Sequence, residues 1–330
     1  MQSYHKPIYR TASHLALLAV MVFACQFSCA PRDDSKPPAP YAETIAFETG
    51  PDISFNMVPI PGGTFLMGSP QSDANAEGDE KPQHMVRIDP FYLCTTEVTL
   101  ELFKAYYNET VIQKKYNSNP RQTDAITCPT PVFGDIAMGY SHHHPAMAMT
   151  WHNATNFCKW LSIKTGKIYR LPTEAEFEYA CRAGTTEIFG STNYPKLLKD
   201  FVWYQDTSDD MPHEVAKKNP NPWGLYDMQG NVCEWVSDFY SPDTYANNAK
   251  NSPTTNPKGP TKGNVHVARG GTYNSPQQEI RYADRAFEEE WWRFGDPQFP
   301  KSRWWLTQMD HVGFRIAVSI DAKSTEPNRD

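Results

Sequence analysis

The chain has 330 residues, a formal net charge of −7, 13% aromatic residues and 28 prolines. The acidic balance and the lack of a lysine- and arginine-rich cluster argue against a nucleic-acid partner, because proteins that bind nucleic acids carry basic patches. Nine tryptophans are more than a disordered chain would carry, and the high proline content predicts a folded but loop-rich body.

Residues 1–24 have the build of a secretory signal. Lys6 and Arg10 precede an apolar run of ten residues, which is too short to span a bilayer of about 30 Å. The run ends in the letters VFAC, which resemble a bacterial lipobox and predict lipid attachment at Cys25. Cys29 is the weaker candidate, because Gln26 stands where an aliphatic residue is wanted. The alternative is an ordinary cleaved signal without lipid that ends near residues 28–30.

The signal predicts export and a place in the bacterial cell envelope, in the periplasm or at the outer membrane, with the lipid as anchor. Without residues 1–24 the formal net charge is −9, because the leader carries two basic residues and no acid. Residues 25–52 are rich in proline and poor in large apolar residues, so they predict a tether. Residues 53–318 are then one α+β domain, and residues 319–330 are a tail.

The domain opens with two short apolar stretches on either side of the letters PGG at residues 61–63, a pattern typical of a β-hairpin. A strand is expected at Met85–Ile88, and a helix is expected to open near Thr99. Apolar residues at helical spacing predict a helix over residues 150–165 that ends at Gly166.

A further helix is predicted after Thr173, which serves as its N-cap. Glu174 and Glu176 then fall in its first turn, where carboxylates are favourable. Beyond this helix the chain is rich in turns, with short strands expected at Val265–Arg269 and Gly313–Val318.

Six motifs of the domain resemble the formylglycine-generating enzyme (sulfatase-modifying factor) family, and they stand in the order typical of that family. Each motif is weak alone, but the six in order cover essentially the whole body. The resemblance implies a single compact domain, distantly like C-type lectins, with little regular secondary structure. The motifs are PGGTFLMG at 61–68, EVT at 97–99, LPTEAEFEY at 171–179, WGLYDMQGNV at 223–232, RGGT at 269–272 and GFR at 313–315.

The resembled enzymes oxidise a substrate cysteine with a copper ion that two cysteines hold, and soft thiolates suit Cu(I). Ser275 and Ile280 occupy the two matching positions, and no cysteine follows Cys233. A hydroxyl and a hydrocarbon cannot replace two thiolates, so copper is not expected as a cofactor and no catalytic residue is assigned.

The resemblance also implies one structural calcium ion. On this chain its ligands are the side chains of Asp227 and Glu234 and the carbonyl groups of Gly230 and Val232. Ca²⁺ prefers six to eight oxygen ligands, which carboxylates and turn carbonyls supply. The alternative is that both acids hydrogen-bond the turn without a metal.

Two tryptophan pairs bracket a bend near the carboxyl end, Trp291 with Trp292 and Trp304 with Trp305. They follow the region where the resembled family forms its substrate groove. If exposed, these rings make a stacking surface for sugar rings or a protein partner, and if folded under they belong to the core. Both interpretations stay open.

The remaining candidates are interpreted as structural. Cys158 and Cys181 match positions that the resembled enzymes bridge to partners, but Tyr282 and Ile316 stand at the partner positions, so both thiols are expected to be reduced core residues. Cys233 could act as a nucleophile if a base lowered the pKa of its thiol, and Cys94 could pair with Cys128.

The histidines at 142–144 are expected to be solvated or packed rather than metal-bound. The arginines of the closing motifs are interpreted as buried structural groups, with an anion pocket as the alternative: Arg269, Arg281, Arg285 and Arg315.

Two functions from different classes follow. The first is an envelope lipoprotein whose calcium-stabilised, non-catalytic domain binds a protein or a glycan polymer. The second is a formylglycine-generating or related oxidoreductase acting on a protein cysteine or a small substrate, which the missing thiol pair disfavours.

Overall fold

The computed structural model describes residues 38–48, 50–112, 140–185, 194–293 and 310–320. The predicted signal, the lipidation candidates Cys25 and Cys29, Cys128, the second tryptophan pair and residues 321–330 lie outside these ranges. Within them, no helix combines the length and the apolar character needed to cross a membrane.

Three helices start where the sequence predicts, and the one that follows Thr150 also ends at the predicted Gly166, because local capping fixes these ends. The hydroxyl groups of Thr99, Thr150 and Thr173 each accept a hydrogen bond from the amide three residues later. Thr173 forms a capping box with Glu176, and Gly166 ends its helix in the left-handed conformation. The helices are α1 (Leu100–Tyr107), α2 (Trp151–Thr165), α3 (Glu174–Arg182), α4 (Tyr194–Phe201) and α5 (Thr244–Ala249).

The described strands form three small sheets. The strands are β1 (Tyr41–Ile45), β2 (Ile53–Ile60), β3 (Gly63–Met67), β4 (His84–Ile88), β5 (Phe91–Cys94), β6 (Tyr169–Arg170), β7 (Cys233–Phe239), β8 (Thr254–Thr255), β9 (His266–Arg269), β10 (Arg285–Phe287), β11 (Val312–Gly313) and β12 (Ala317–Ser319). The sheet orders are β1-β2-β5-β12-β6, β10-β9-β7-β11 and β3-β4-β8. The chain therefore mixes helix and sheet, and the predicted α+β class is confirmed.

The predicted hairpin over residues 57–68 is wrong. Strands β2 and β3 exist, but β2 pairs with β5 and β3 pairs with β4. Ile60 faces Phe91, and Gly63 faces Ile88, so the two pairs form one long antiparallel ribbon that bends at the Pro-Gly-Gly segment. Proline donates no hydrogen bond, and the bend carries the chain from one sheet to the next.

The predicted tether extends too far toward the carboxyl end. Residues 41–45 form strand β1, which pairs along its whole length with β2. Ile45 is buried against the core, and the ring of Tyr41 packs on Tyr92 with 5.0 Å between centroids. The alternation of polar and apolar residues in this strand is short and follows a proline-rich stretch, which hid it in the sequence.

The strand predicted at Val265–Arg269 is confirmed as β9, whereas the one predicted at Gly313–Val318 is two short strands. Between them the chain leaves one sheet and enters another: β11 pairs with β7, and β12 pairs with β5 and β6. Arg315 lies in this crossover and is fully buried. The burial pattern cannot reveal such a change of sheet, because the residues on both sides of the crossover are buried.

Candidate functional site

The two positions where the resembled enzymes carry cysteines lie side by side beneath the Gly270-Gly271 turn. A Cβ atom on Gly271 would stand 3.0 Å from Cδ1 of Ile280 and 3.6 Å from Oγ of Ser275. The Ser275 hydroxyl accepts a hydrogen bond of 3.1 Å from the Thr272 amide. Both side chains therefore reach the same glycine, but they supply one hydroxyl and one methyl group.

Ile280 has a structural role. It is fully buried and belongs to a small apolar cluster that joins the turn to α4. Such a side chain contributes about 1.5–3 kcal/mol by burial. The position that would bear a thiolate thus stabilises the fold instead. The other members of the cluster are Leu198, Val202 and Tyr204.

The four described cysteines are free and buried, so no disulfide involves them. Burial raises the pKa of each thiol, to about 12 for Cys181. Cys158 and Ile316 share one core cluster, and Cys181 and Tyr282 share a second, which confirms both cysteines as reduced core residues.

Cys233 does not have the surroundings of a nucleophile. Burial raises the pKa of its thiol, and the carboxylates of Glu234 and Asp284 raise it further. A reactive thiol needs a nearby cation or base that stabilises the thiolate. The side chain instead belongs to the apolar core that surrounds Trp235 and Phe314.

The arginines of the closing motifs are buried and paired with acids, as predicted. Arg281 forms a two-pronged pair with Glu80, with nitrogen–oxygen distances of 2.5 and 2.7 Å. Arg285 pairs with Glu174, and Arg269 bridges Glu174 and Glu178. The cavity beside Arg281 measures about 10 Å³, space for no more than a water molecule. It does not provide the anion pocket considered as the alternative.

The acids of the candidate calcium site differ in their surroundings. Glu234 has both carboxylate oxygens bound by Arg315, each at 2.6 Å. Asp227 accepts a 2.8 Å hydrogen bond from the Ala216 amide through one oxygen, whereas its other oxygen is buried without a donor. Asp227 therefore fits a cation ligand, and Glu234 fits a partner for arginine.

Glu97, which sequence reasoning treated only as part of a motif, lies in the same acidic group. One of its oxygens accepts a 3.1 Å hydrogen bond from the Asn231 side chain, and the other is buried without a donor. Burial, followed by the charges of Asp227 and Glu234, raises the pKa of Glu97 well above its usual value. Burial also raises the pKa of Asp227, to about 6.

The described tryptophan pair is divided between surface and core. Trp292 is buried and packs on Trp235, with 5.6 Å between ring centroids. Trp291 is 39% exposed and stacks on His311 at 5.9 Å with an interplanar angle of 23°. The interpretation as a stacking surface therefore survives for Trp291 and fails for Trp292.

Two polar residues adjoin the exposed ring, because His311 stacks on it and the Asp310 carboxylate lies 3.6 Å from Nδ1 of His311. Asp310 is exposed next to His311, and its charge, after burial, raises the pKa values of Tyr140 and Tyr273. Tyr273 follows the Gly270-Gly271 turn, so the charge of Asp310 also acts close to this turn. We call Trp291, Asp310, His311 and Tyr140 the Trp291 surface. The order of these residues in the sequence gave no sign of this grouping, because they come from three separate segments.

The consecutive histidines do not converge. The side chains of His142 and His143 are exposed, whereas Nδ1 of His144 accepts a 2.9 Å hydrogen bond from the Ser141 amide. Among the described residues, no three or more His, Cys, Asp and Glu side chains are arranged to hold a metal ion. The expected solvated or packed histidines agree with this geometry.

A sulfatase-modifying factor enzyme 1-like domain matches residues 47–320. The chain belongs to the sulfatase-modifying factor family. It is 31% identical to the formylglycine-generating enzyme of Streptomyces coelicolor over 261 residues, which cover 68% of this chain and 80% of that protein. The family and the fold that the six motifs imply are thereby confirmed.

Other relatives carry different names. Serine/threonine-protein kinase pkn1 of Chlamydia caviae is 35% identical over 263 residues, which cover 74% of this chain but only 37% of the kinase. The chain thus spans little more than a third of that relative. Inactive C-alpha-formylglycine-generating enzyme 2 of Bos taurus is 27% identical over 58% of this chain and 74% of that protein.

Solved structures agree on the fold. PvdO from Pseudomonas aeruginosa superposes with a TM-score of 0.59 at 26% identity, covering 80% of this chain and 94% of PvdO. Treponema denticola variable protein 1 superposes with a TM-score of 0.60 at 23% identity, covering 84% of this chain and 99% of that protein. The second likeness shows the fold alone.

Proposed function

We propose that this chain is a non-catalytic member of the sulfatase-modifying factor family that binds a protein or glycan polymer in the bacterial envelope. The observation that carries the proposal is the pair Ser275 and Ile280 at the positions of the copper-binding cysteines. The Ile280 side chain is buried in an apolar cluster, and none of the four described cysteines belongs to that cluster. A family relative that bears the name of an inactive enzyme supports the same interpretation.

Copper binding tests the loss of catalysis. We expect the full chain, purified in detergent, to take up no stoichiometric Cu(I) against a competing chelator and to leave a cysteine-containing sulfatase peptide unoxidised. The double variant Ser275→Cys/Ile280→Cys should gain one Cu(I) per chain, since it restores two soft ligands at one turn. The single variant Ser275→Cys is the matched control and should not bind tightly. Tight Cu(I) binding and peptide oxidation by the unaltered chain would establish the oxidoreductase instead.

The Trp291 surface is the proposed contact with the partner. An exposed indole that stacks on a histidine next to a carboxylate suits a sugar ring or a peptide, because the ring stacks while the polar groups accept and donate hydrogen bonds. The charge of Asp310 acts on Tyr273, which follows the Gly270-Gly271 turn, and this supports a contact surface near that turn. The aromatic ring, rather than any catalytic group, then provides the affinity.

Photo-crosslinking in the producing bacterium tests this contact. A photoreactive phenylalanine analogue in place of Trp291 should give a defined protein or glycan adduct that mass spectrometry identifies. Ile163 provides the matched control, because it is apolar, 63% exposed and placed on α2. Equal adducts from both positions, or adducts from position 163 alone, would contradict the surface assignment.

Export and lipid attachment complete the proposal. The apolar run that ends in the lipobox-like letters VFAC supports a lipid anchor at Cys25. Labelling with an alkyne fatty acid should mark the chain and not its Cys25→Ser variant. If the Cys25→Ser variant is still labelled, the lipid is attached to another residue.

A further inference from the structure

Two exposed isoleucines lie at the carboxyl end of α2 and just beyond it. Ile163 is 63% exposed, the largest value among the large apolar side chains that the structure describes, and Ile168 is 40% exposed. The helix contacts the core through Phe157 and Leu161, whereas Ile163 lies on its solvent-facing side. Single exposed apolar residues need no explanation, so the surroundings of this pair decide whether it has a role.

Lysines flank the two isoleucines. Lys159 is exposed and lies four residues before Ile163, on the same face of the helix. Lys167 keeps 43% of its side chain exposed, although its ammonium pairs with the buried Glu43. Aliphatic side chains beside lysines, whose long stems let the ammonium reach outward, are typical of surfaces that lie in the headgroup layer of a bilayer. We call Lys159, Ile163, Lys167 and Ile168 the α2-end surface.

The α2-end surface lies beside the first described strand. The Lys167 ammonium stands 4.7 Å from the ring centroid of Tyr41, the first residue of β1. The Lys164 ammonium stands 4.9 Å from the centroid of the Phe47 ring, just after that strand. A fully extended chain from Cys25 to Tyr41 spans at most about 55 Å. A lipid on Cys25 therefore holds this side of the domain near the bilayer.

We propose that the α2-end surface contacts a phospholipid bilayer, with its two isoleucines among the headgroups and its two lysines toward the lipid phosphates. The contact depends on the lipid anchor at Cys25 that belongs to the proposed function. The chain is acidic overall, so anionic lipids repel much of its surface and favour a face that carries lysines. Two isoleucines alone make a weak contact, but the anchor makes it intramolecular and raises the effective concentration of lipid at this surface.

Photo-crosslinking of the full, lipid-anchored chain in vesicles of phosphatidylethanolamine and phosphatidylglycerol tests this contact. A photoreactive phenylalanine analogue at position 163, and in a second variant at position 168, should form phospholipid adducts that mass spectrometry detects. Met85 is the matched control, because it is 39% exposed but lies on β4, in a different sheet from β1. We expect at least about tenfold more phospholipid adduct at positions 163 and 168 than at position 85, since tethering favours the surface that faces the bilayer.

A charge reversal tests the part of the lysines. Lys159→Glu, combined with the analogue at position 163, should give less phospholipid adduct in vesicles that contain phosphatidylglycerol, because an anion then faces anionic headgroups. The yield in vesicles of phosphatidylcholine alone should not change, since those headgroups carry no net charge. An equal loss in both kinds of vesicle would contradict the role of Lys159.

The outcomes separate the contact from the anchor. Equal phospholipid adducts at positions 85 and 163, or adducts at position 163 to a second copy of the chain or to another protein, overturn the proposal. A chain that takes up the alkyne fatty acid at Cys25 but forms no phospholipid adduct at either isoleucine refutes the bilayer contact alone. A chain that takes up no label refutes the anchor and the contact with it. Because phospholipid is scored here, position 163 stays a valid control for the protein or glycan adducts of Trp291.

Discussion

Replacing Glu178 by Gln is expected to lower the free energy of unfolding by about 3–5 kcal/mol, the cost of breaking a buried ion pair. Glu178 is fully buried and accepts hydrogen bonds from Arg182 at 2.8 Å and from Arg269 at 2.7 Å. It also accepts a 2.9 Å bond from the Gly68 amide, which a glutamine oxygen can still satisfy. The variant loses the charge, and its amide nitrogen replaces the oxygen that accepts from Arg269, so one donor then faces another.

Urea unfolding at pH 7 measures this effect. The exposed Glu289→Gln is the matched control and should change the free energy of unfolding by less than about 0.5 kcal/mol. A Glu178→Gln variant as stable as the control would show that the arginines find other anions, and that the cluster does not hold the domain together.

The same cluster predicts how stability changes with pH. Burial alone would raise the pKa of Glu178, but Arg182 and Arg269 outweigh it and hold the pKa below its usual value. A carboxylate with a lowered pKa in the folded state stabilises the protein above its unfolded pKa of about 4.3. This contribution is therefore complete at neutral pH and is lost as the pH falls below that value. The glutamine variant should lose less stability between pH 5 and acid unfolding.

Local features of the fold could be predicted from the sequence, and long-range ones could not. Thr99, Thr150 and Thr173 each cap a helix through an amide three residues away, so the signal and its structural partner lie within one window. The ribbon bend at Pro61 depended on pairing with residues 88–91, which no local pattern indicates. Pattern analysis therefore gave the right elements and the wrong strand partner.

The residue types of the candidate site could be judged from the sequence, but their long-range contacts could not. The loss of the thiol pair was visible directly, because residue type alone decides whether copper can be held. The assignment of Glu234 to calcium rested on its motif, but its carboxylate binds Arg315, 81 residues further on. Glu97 stood in a recognised motif without an assigned role, because its contact Asn231 lies 134 residues away.

Replacing Gly230 by Ala is expected to cost about 3 kcal/mol or more, because backbone strain and steric overlap add at this position. Gly230 has φ of 74°, a left-handed conformation that disfavours a side chain. A Cβ atom there would stand 2.0 Å from the Trp203 carbonyl oxygen and 2.6 Å from a Val202 methyl group. The carbonyl belongs to the backbone and accepts the Asn231 amide, so it cannot move aside without breaking that bond.

Gly166→Ala separates the two causes, because Gly166 has nearly the same φ of 72° but no atom within 4 Å of the added carbon. It should cost only about 1 kcal/mol, the conformational part alone. The additional loss of unfolding free energy in Gly230→Ala is then the energetic cost of steric overlap between the turn before β7 and residues 202–203. If both variants unfold at the same urea concentration, the close approach of the turn to Trp203 does not contribute to the free energy of unfolding. A large excess would show that this turn, which carries Asp227 and Asn231, is held by packing as well as by any ion it binds.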